Sequence, residues 1–496
     1  NNYKRLMSRL NAYNLVAENS SALSLDLLDT ARGAGFAQFR VSPRVRLVGF
    51  PVDNQLYPRV STESTSTPIQ FTATPASTDV TSLTLRRFTD GVLSATSTTA
   101  VSAGQPVTIR AVVPVGLKSS SFVLSANSAG GSATEAQAAD VVSGDVFVVN
   151  GQSNAETPVY PADNAQADAE AGSSWIRTVG GAWDTTAASD ADHGWRVATA
   201  SGGHNSSGSI GSWELRMARD LVDAGHAPVA VVTGAQAGKP INWFEPDYAQ
   251  AGDSGNNYKR LMSRLNAYNL AGSVKSILVY QGESDAANFA AWTPAFTQLA
   301  AAWNASFPNL AHIYLTQIRT GCTPDAAIGA LLVQEQQRVA AAMPKVQVMS
   351  TNGLNAYDGC HFRYLGDGYQ ELGHRFSALV EHDSYGGTAT NATAPAPTSI
   401  SKNSAGDTIT IKLASATDPI TVDAGGANLS FLVTTQFGPL WPSKVTAQPG
   451  TVTLTIPPGF TATAVSYLGF NVPGSWPWVR NGAGTGLLTF INMPIS

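Results

Sequence analysis

The rhythm of apolar positions changes along the chain. Over 61–139 apolar and polar residues alternate in short runs, as in Ser82-Leu83-Thr84-Leu85 and Ser121-Phe122-Val123-Leu124, with Gly, Ser, Asp and Pro between them. Period-two alternation broken by turn residues predicts a small β-sandwich over 61–140, immunoglobulin-like in its proportions. From 141 the runs become continuous and β-branched. Strands are expected at 146–150, 227–233, 274–280, 312–318 and 346–351. Between them, 213–224, 289–305 and 326–342 read as helices. Strands alternating with helices over 141–385 predict a five-stranded parallel sheet covered by helices on both faces. A linker rich in Thr, Ala, Asn and Pro follows at 387–399. Alternation then returns at 408–413, 429–434, 452–456, 464–470 and 486–491, predicting a second β-sandwich over 400–496.

The first sixty residues fit neither pattern. Residues 21–32 read as a short amphipathic helix, in a region with more Lys and Arg than Asp and Glu. This is a solvated surface, or an attachment or oligomerisation segment. Residues 1–15 recur unchanged at 256–270, and diverged structural repeats are not identical. A recent duplication or an artefact of the sequence is the expected origin. In the second copy Tyr258, Leu261, Met262 and Leu265 share one helical face; the first copy has no such context, so no function is placed on 1–15.

Composition narrows the picture. The 496 residues suit about three domains. Hydrophobic residues at 43% support real cores, while charged residues are only 13%. Low charge with plentiful Ser, Thr, Ala and Gly suits an extracellular, cell-surface or virion-surface protein. A net charge of -5 gives no basic patch and excludes nucleic acid as the main partner. No apolar run reaches the ~18 residues of a membrane span. The chain shows no leader peptide and starts without Met, as a processed or partial product would. Cys322 and Cys360 have no zinc-ligand spacing; one disulfide and two free buried thiols are both open.

The chemistry gathers at strand ends. Val146-Phe147-Val148-Val149 is a buried strand, and Asn150-Gly151 stops it. Ser153 then stands where a chain leaving the C-terminal edge of a parallel sheet faces the crevice above. A nucleophile and an ordinary turn serine are both open from these residues alone. The G-x-S-x-G elbow is excluded, since Ala155 occupies its second glycine position. Near the end of the α/β region, Asp358 and His361 are three residues apart, so a turn or helix start places them on one side. A carboxylate there can orient an imidazole toward a serine, which is the set that acyl transfer by serine needs.

Gly151-Gln152-Ser153-Asn154, Gln281-Gly282-Glu283-Ser284 and Asp358-x-x-His361, in this order, resemble the SGNH hydrolases, and within them the sialate O-acetylesterase-like carbohydrate esterases. The segment 233–243 resembles the family's GGTPIEAW stretch, with Ala237 and Lys239 as departures, and 208–214 resembles its SVGPAF-type segment. The likeness spans about half of the chain. It implies a flavodoxin-like fold and a catalytic set of Ser153, His361 and Asp358. Oxyanion donors would come from Ser153, Gly238, and Gln281 or Gly282, because the asparagine of typical members is absent. Gln152, Asn154 and Glu283 would support the site, Trp243 and Phe244 would line its pocket or equally pack in the core, and His204 would border it. No metal or cofactor is implied. The expected activity is removal of O-acetyl groups from a carbohydrate or polysaccharide. The rival is a glycan-binding surface or phage tail-fibre protein whose esterase domain is inactive or secondary. Trp441, Trp476 and Trp478 would serve glycan stacking, or pack in a core or an interface. A homo-oligomer, or assembly on a larger particle, would suit either reading.

Overall fold

The computed structural model describes residues 25–26, 40–41, 44–157, 160–180, 193–200, 207–249, 256–319, 322, 326–387, 390–468 and 477–496. The first copy of the repeat, His204 and Trp476 lie outside them. So does most of 21–32, where Leu25–Asp26 pairs as a short strand with Arg40–Val41 instead of forming a helix.

The N-terminal unit has two antiparallel sheets. Val45–Val48, Ser66–Pro75 and Val107–Pro114 form one. Val92–Ala100, Ser82–Thr89, Ser120–Ser128 and the first half of the long strand β1 (Gly131–Gly151) form the other. Phe71, Leu83, Ile109, Phe122 and Leu124 belong to one buried cluster, the inward half of the alternation seen in the sequence. The unit begins by Val45 and not at 61, because Val45–Val48 supplies one of its strands. Its expected end at 140 falls inside β1. That strand pairs with Ser120–Ser128 up to Val141 and with α/β strands from Asp145 onward. A register shift between Ala138 and Val141 and a positive φ at Asp140 mark the handover. A strand common to two sheets joins them without a flexible linker.

The α/β sheet continues with β2 (Ile176–Val179), β3 (Trp195–Val197), β4 (Val229–Thr233), β5 (Val274–Tyr280), β6 (His312–Gln317) and β7 (Val346–Ser350), in spatial order β3-β2-β4-β1-β5-β6-β7. All pairings are parallel except β2 with β3. The sheet is thus larger than the five strands expected. The five foreseen strands alone follow the flavodoxin order 2-1-3-4-5. The additions, β2 and β3, are short and break the helix–strand rhythm by which the others were read. Val146, Phe147, Val148 and Val149 are each 0% exposed, as a strand covered on both faces requires. The cover comes from α1 (Ser153–Glu156), α2 (Pro161–Ala171), α3 (Ser212–Asp223), α4 (Asn257–Ala267), α5 (Phe289–Ser306), α6 (Ala326–Ala342) and α7 (Tyr369–Ser384). In α4, the second copy of the repeat, Tyr258, Leu261 and Leu265 are buried and Met262 partly so. At the base of the sheet Asp145 is buried, yet its carboxyl stays below the usual carboxylate range, because Arg59 and Lys275 bind it.

The C-terminal unit holds two four-stranded sheets, Pro397–Lys402, Thr408–Leu413, Thr451–Thr455 and Lys444–Gln448 against Gly438–Leu440, Phe431–Thr435, Ala462–Tyr467 and Phe490–Pro494. Ile409, Ile411, Phe431, Val433, Val452 and Tyr467 share their core. The unit is bonded to the α/β domain. Gln317 donates to Thr489 O at 3.0 Å and accepts from Thr489 N–H at 2.8 Å. Asn352 donates to Leu487 O at 2.6 Å, and Trp478 Nε1 to Asn355 Oδ1 at 2.9 Å. Trp478 is therefore a contact between units and not part of a free sugar platform. Trp441 is 52% exposed. No helix among the described residues is long and apolar enough to cross a membrane.

Candidate active site

The C-terminal ends of β1, β4 and β5 lie side by side, with Val149 opposite Thr233 and Gly151 opposite Tyr280. The motif segments that follow these strands therefore converge on one crevice.

At the end of β1 the chain turns sharply. Gly151 has φ +135°, and a Cβ there would stand 2.1 Å from Tyr280 O, so no other residue fits. Ser153 then opens the one-turn helix α1, half-buried at its first position. Its N–H is one of those that a helix start leaves without an intrahelical partner. The start of α3 secures this turn from below. Trp213 Nε1 donates to Asn154 O at 2.9 Å, and Ser212 N–H to Thr157 Oγ1 at 2.6 Å. This is the structural use of the 208–214 segment.

Asn154 is buried, and its amide reaches three separate elements. Nδ2 donates to Glu283 Oε1 at 2.7 Å and to Cys360 O at 3.1 Å, while Oδ1 accepts from Tyr369 OH at 2.7 Å. Gln152, also buried, accepts through Oε1 from the N–H groups of Gly282 at 3.3 Å and Ser284 at 3.1 Å. Gln152 and Asn154 thus tie the turn that carries Ser153 to the loop after β5.

The loop after β4 hangs on the same turn. Gln236 N–H donates to Gly151 O at 2.8 Å, and Ala237 N–H to Glu156 Oε2 at 2.5 Å. Gly238 follows with φ +69° and open space where a Cβ would point. Next comes a 3₁₀ turn, Ile241–Phe244. Residues three apart eclipse in such a turn, so Ile241 and Phe244 both face inward. Phe244 is 0% exposed in the main core, which removes it from the pocket. Trp243 is half-buried and packs against the edge of the same core. Its Nε1 donates to Gln236 Oε1 at 2.9 Å, and Lys239 Nζ sits 4.0 Å from its ring centre.

The loop after β5 corrects two expected donors. Gln281 is 0% exposed. Its Nε2 donates to Asp285 and to Lys239 O, and its Oε1 accepts from Trp292 Nε1 at 2.7 Å. The N–H of Gly282 is already given to Gln152. A buried amide with its hydrogens spent inside the fold has none to offer a substrate, so Gln281 and Gly282 are scaffold. Asp285, in turn, accepts from Ile241 N–H at 2.9 Å and fixes the loop after β4. Burial pushes the Glu283 carboxyl up to about 7. Behind α1, burial and the neighbouring Glu156 charge push the Glu214 carboxyl up to about 8.

Asp358 and His361 occupy a two-residue hairpin, β8 (Tyr357–Asp358) and β9 (His361–Phe362), in which they are direct cross-strand partners. Opposed residues of an antiparallel pair project to the same side, so a hairpin, and not a helix start, brings them together. Gly359 at φ +60° makes the turn. Burial lowers the His361 pKa below 6.5, partly offset by the Asp358 charge. The hairpin is held at many points. Arg319 Nη1 donates to Gly359 O at 2.8 Å, and its guanidinium lies 3.4 Å from the Tyr357 ring centre. Tyr160 OH donates to Asp358 O. A disulfide joins Cys360 to Cys322. His374 pairs instead with Asp220 on the surface of α7.

Sequence reading passed over Glu156, Glu214, Tyr160 and Arg319. Only Glu156 carried a signal, its position three residues after Ser153.

Residues 143–381, nearly the whole α/β domain, match the family model described as carbohydrate esterase, sialic acid-specific acetylesterase. Among solved structures, a carbohydrate acetylesterase from Xanthomonas citri is similar over 90% of this chain and 99% of its own, with 20% identity and a TM-score of 0.60. A protein from Arabidopsis thaliana covers 48% of this chain and 98% of its own at 17% identity, with a TM-score of 0.35. No curated protein matches. The α/β domain is an SGNH-type acetylesterase domain of the sialate O-acetylesterase-like group.

Proposed function

We propose that this acetylesterase removes O-acetyl groups from a carbohydrate through Ser153, His361 and Asp358. The observation that carries this reading is the hairpin that opposes Asp358 to His361 while Asn154, next to Ser153, bonds the hairpin's turn. His361 takes the Ser153 proton as Oγ attacks the acetyl carbonyl, and Asp358 orients and supports the imidazolium. The N–H groups of Ser153 and Gly238 receive the oxyanion. His361 then protonates the departing sugar hydroxyl. Water, deprotonated by His361, cleaves the acetyl-enzyme and releases acetate. Trp243, with Lys239 against its ring, borders the sugar side of the crevice.

An acetylated polysaccharide outside the cell is the substrate setting we favour, since the Cys322–Cys360 bond suits an oxidising compartment. The layered β units read as flanking β-sandwiches, the N-terminal one immunoglobulin-like.

The test is hydrolysis of 4-nitrophenyl acetate by wild type and Ser153→Ala, with acetate release from an acetylated polysaccharide. Loss of both activities with Ser153 is the expected result. A wild type inactive on both substrates would sink the reading and favour a glycan-binding scaffold.

A further inference from the structure

Glu156 lies outside the catalytic set, yet its carboxylate joins the nucleophile turn to the loop of the proposed oxyanion donor. Helix α1 has a single turn, with Ser153 at its start and Glu156 at its end. Residues three apart on a helix are surface neighbours, so the two side chains leave the same short element. Glu156 is buried, 4% exposed, and its Oε2 accepts the Ala237 N–H at 2.5 Å. The bond from Gln236 N–H to Gly151 O, one residue earlier, runs alongside it. Both attach the loop to the turn that carries Ser153, just before Gly238. On the far side of Gly238 the loop is held again, by Gln281 at Lys239 O and by Asp285 at Ile241 N–H. The peptide between Ala237 and Gly238, whose N–H is the proposed donor, is thus held from both ends.

We infer that Glu156 is a positioning residue for the oxyanion hole: by accepting the Ala237 N–H it sets the Gly238 N–H relative to Ser153. This rests on the esterase reading above and adds a residue that never touches the substrate. A carboxylate suits the task because a charge-assisted hydrogen bond is short and strong.

Kinetics of Glu156→Ala and Glu156→Gln on 4-nitrophenyl acetate test the inference, with wild type and Ser153→Ala measured in parallel. Glutamine keeps a neutral acceptor oxygen at the same reach; alanine keeps none. Glu156→Ala should lower kcat about 100-fold, the scale of a lost oxyanion donor. KM should change less than about twofold, and the acid limb of the pH profile, set by His361, should stay in place. Glu156→Gln should recover about tenfold of the loss, in line with a neutral acceptor replacing a charged one. Wild-type kcat in Glu156→Ala would overturn the inference. Equal loss in a folded Glu156→Gln would overturn it too, and that variant decides the question if Glu156→Ala does not fold. Inactive wild type would instead refute the esterase reading itself.

Discussion

Asn154 and Cys360 are 206 residues apart in sequence, yet the side-chain amide of one donates to the backbone carbonyl of the other at 3.1 Å. The bond runs from the residue after the proposed nucleophile, Ser153, to the turn between Asp358 and His361. The other Nδ2 hydrogen goes to Glu283, and Oδ1 accepts from Tyr369. One buried amide therefore sets the distance between the two halves of the proposed catalytic set.

Replacing Asn154 should disturb activity more than binding. Asn154→Ala leaves Cys360 O and Tyr369 OH without this partner, at a cost of about 1–3 kcal/mol for each buried group. We expect kcat to fall at least tenfold, a ~1.4 kcal/mol effect on the barrier, with a smaller change in KM. Steady-state kinetics and a melting curve check this. Unchanged kcat would show that the hairpin holds its place without the amide.

The pH profile should report His361. The proposed general base must be neutral, and burial lowers its pKa below 6.5. The acid limb of kcat/KM is therefore expected below pH 6.5. Asp358→Asn removes the charge that favours the imidazolium, so the limb should move further down while kcat drops about 100-fold or more. A limb above pH 6.5 in wild type would contradict the burial seen here.

Glu214 makes stability depend on pH with a definite sign. The folded protein keeps this proton up to about pH 8, while an unfolded chain releases it near 4.3. Between these values the folded state binds more protons, so stability falls as pH rises. The loss is on the order of a few kcal/mol. Glu283, raised to about 7, acts in the same direction. Glu214→Gln has no proton to lose, and its Tm should fall less than that of wild type between pH 5 and 8. Parallel Tm curves would show that Glu214 is not the group responsible.

The disulfide should serve both stability and rate. It closes a 38-residue separation, for which chain entropy predicts about 4 kcal/mol of stabilisation. Cys322→Ser with Cys360→Ser should lower Tm. It should also lower kcat, because Cys360 sits between Asp358 and His361. An active enzyme with undiminished kcat after full reduction would show that Arg319 and Asn154 suffice to hold the hairpin.

The C-terminal unit should matter to the site through its bonds to the chain leading into the hairpin. Trp478→Phe keeps the ring packing and removes the N–H given to Asn355. A loss of about 1 kcal/mol is expected, with kcat reduced several-fold. Kinetics at constant fold, monitored by circular dichroism, measure it. No change in kcat would mean that Asn352, Gln317 and their partners hold the loop alone.

Much of this was legible in the sequence, because it depends on local rules. Apolar runs marked the long strands of the sheet, since burial on both faces demands continuous hydrophobic residues. Gly151 stands where the close approach of Tyr280 O forbids a side chain. The spacing of Asp358 and His361 placed them side by side on a turn or a helix start, and it is the turn of a short hairpin that does so. What the sequence could not show is how each polar group spends its hydrogen bonds, which depends on residues hundreds of positions away. Gln281 reads as a free amide in a motif, but packing turned it inward against Trp292 and Asp285. Phe244 reads equally as a pocket or a core aromatic, and a 3₁₀ turn settled it in the core. The bond from Ala237 N–H to Glu156 exists because the tertiary fold brings the loop after β4 against α1. Short range decided which segments could form the site; the tertiary fold decided which donors were left over for chemistry.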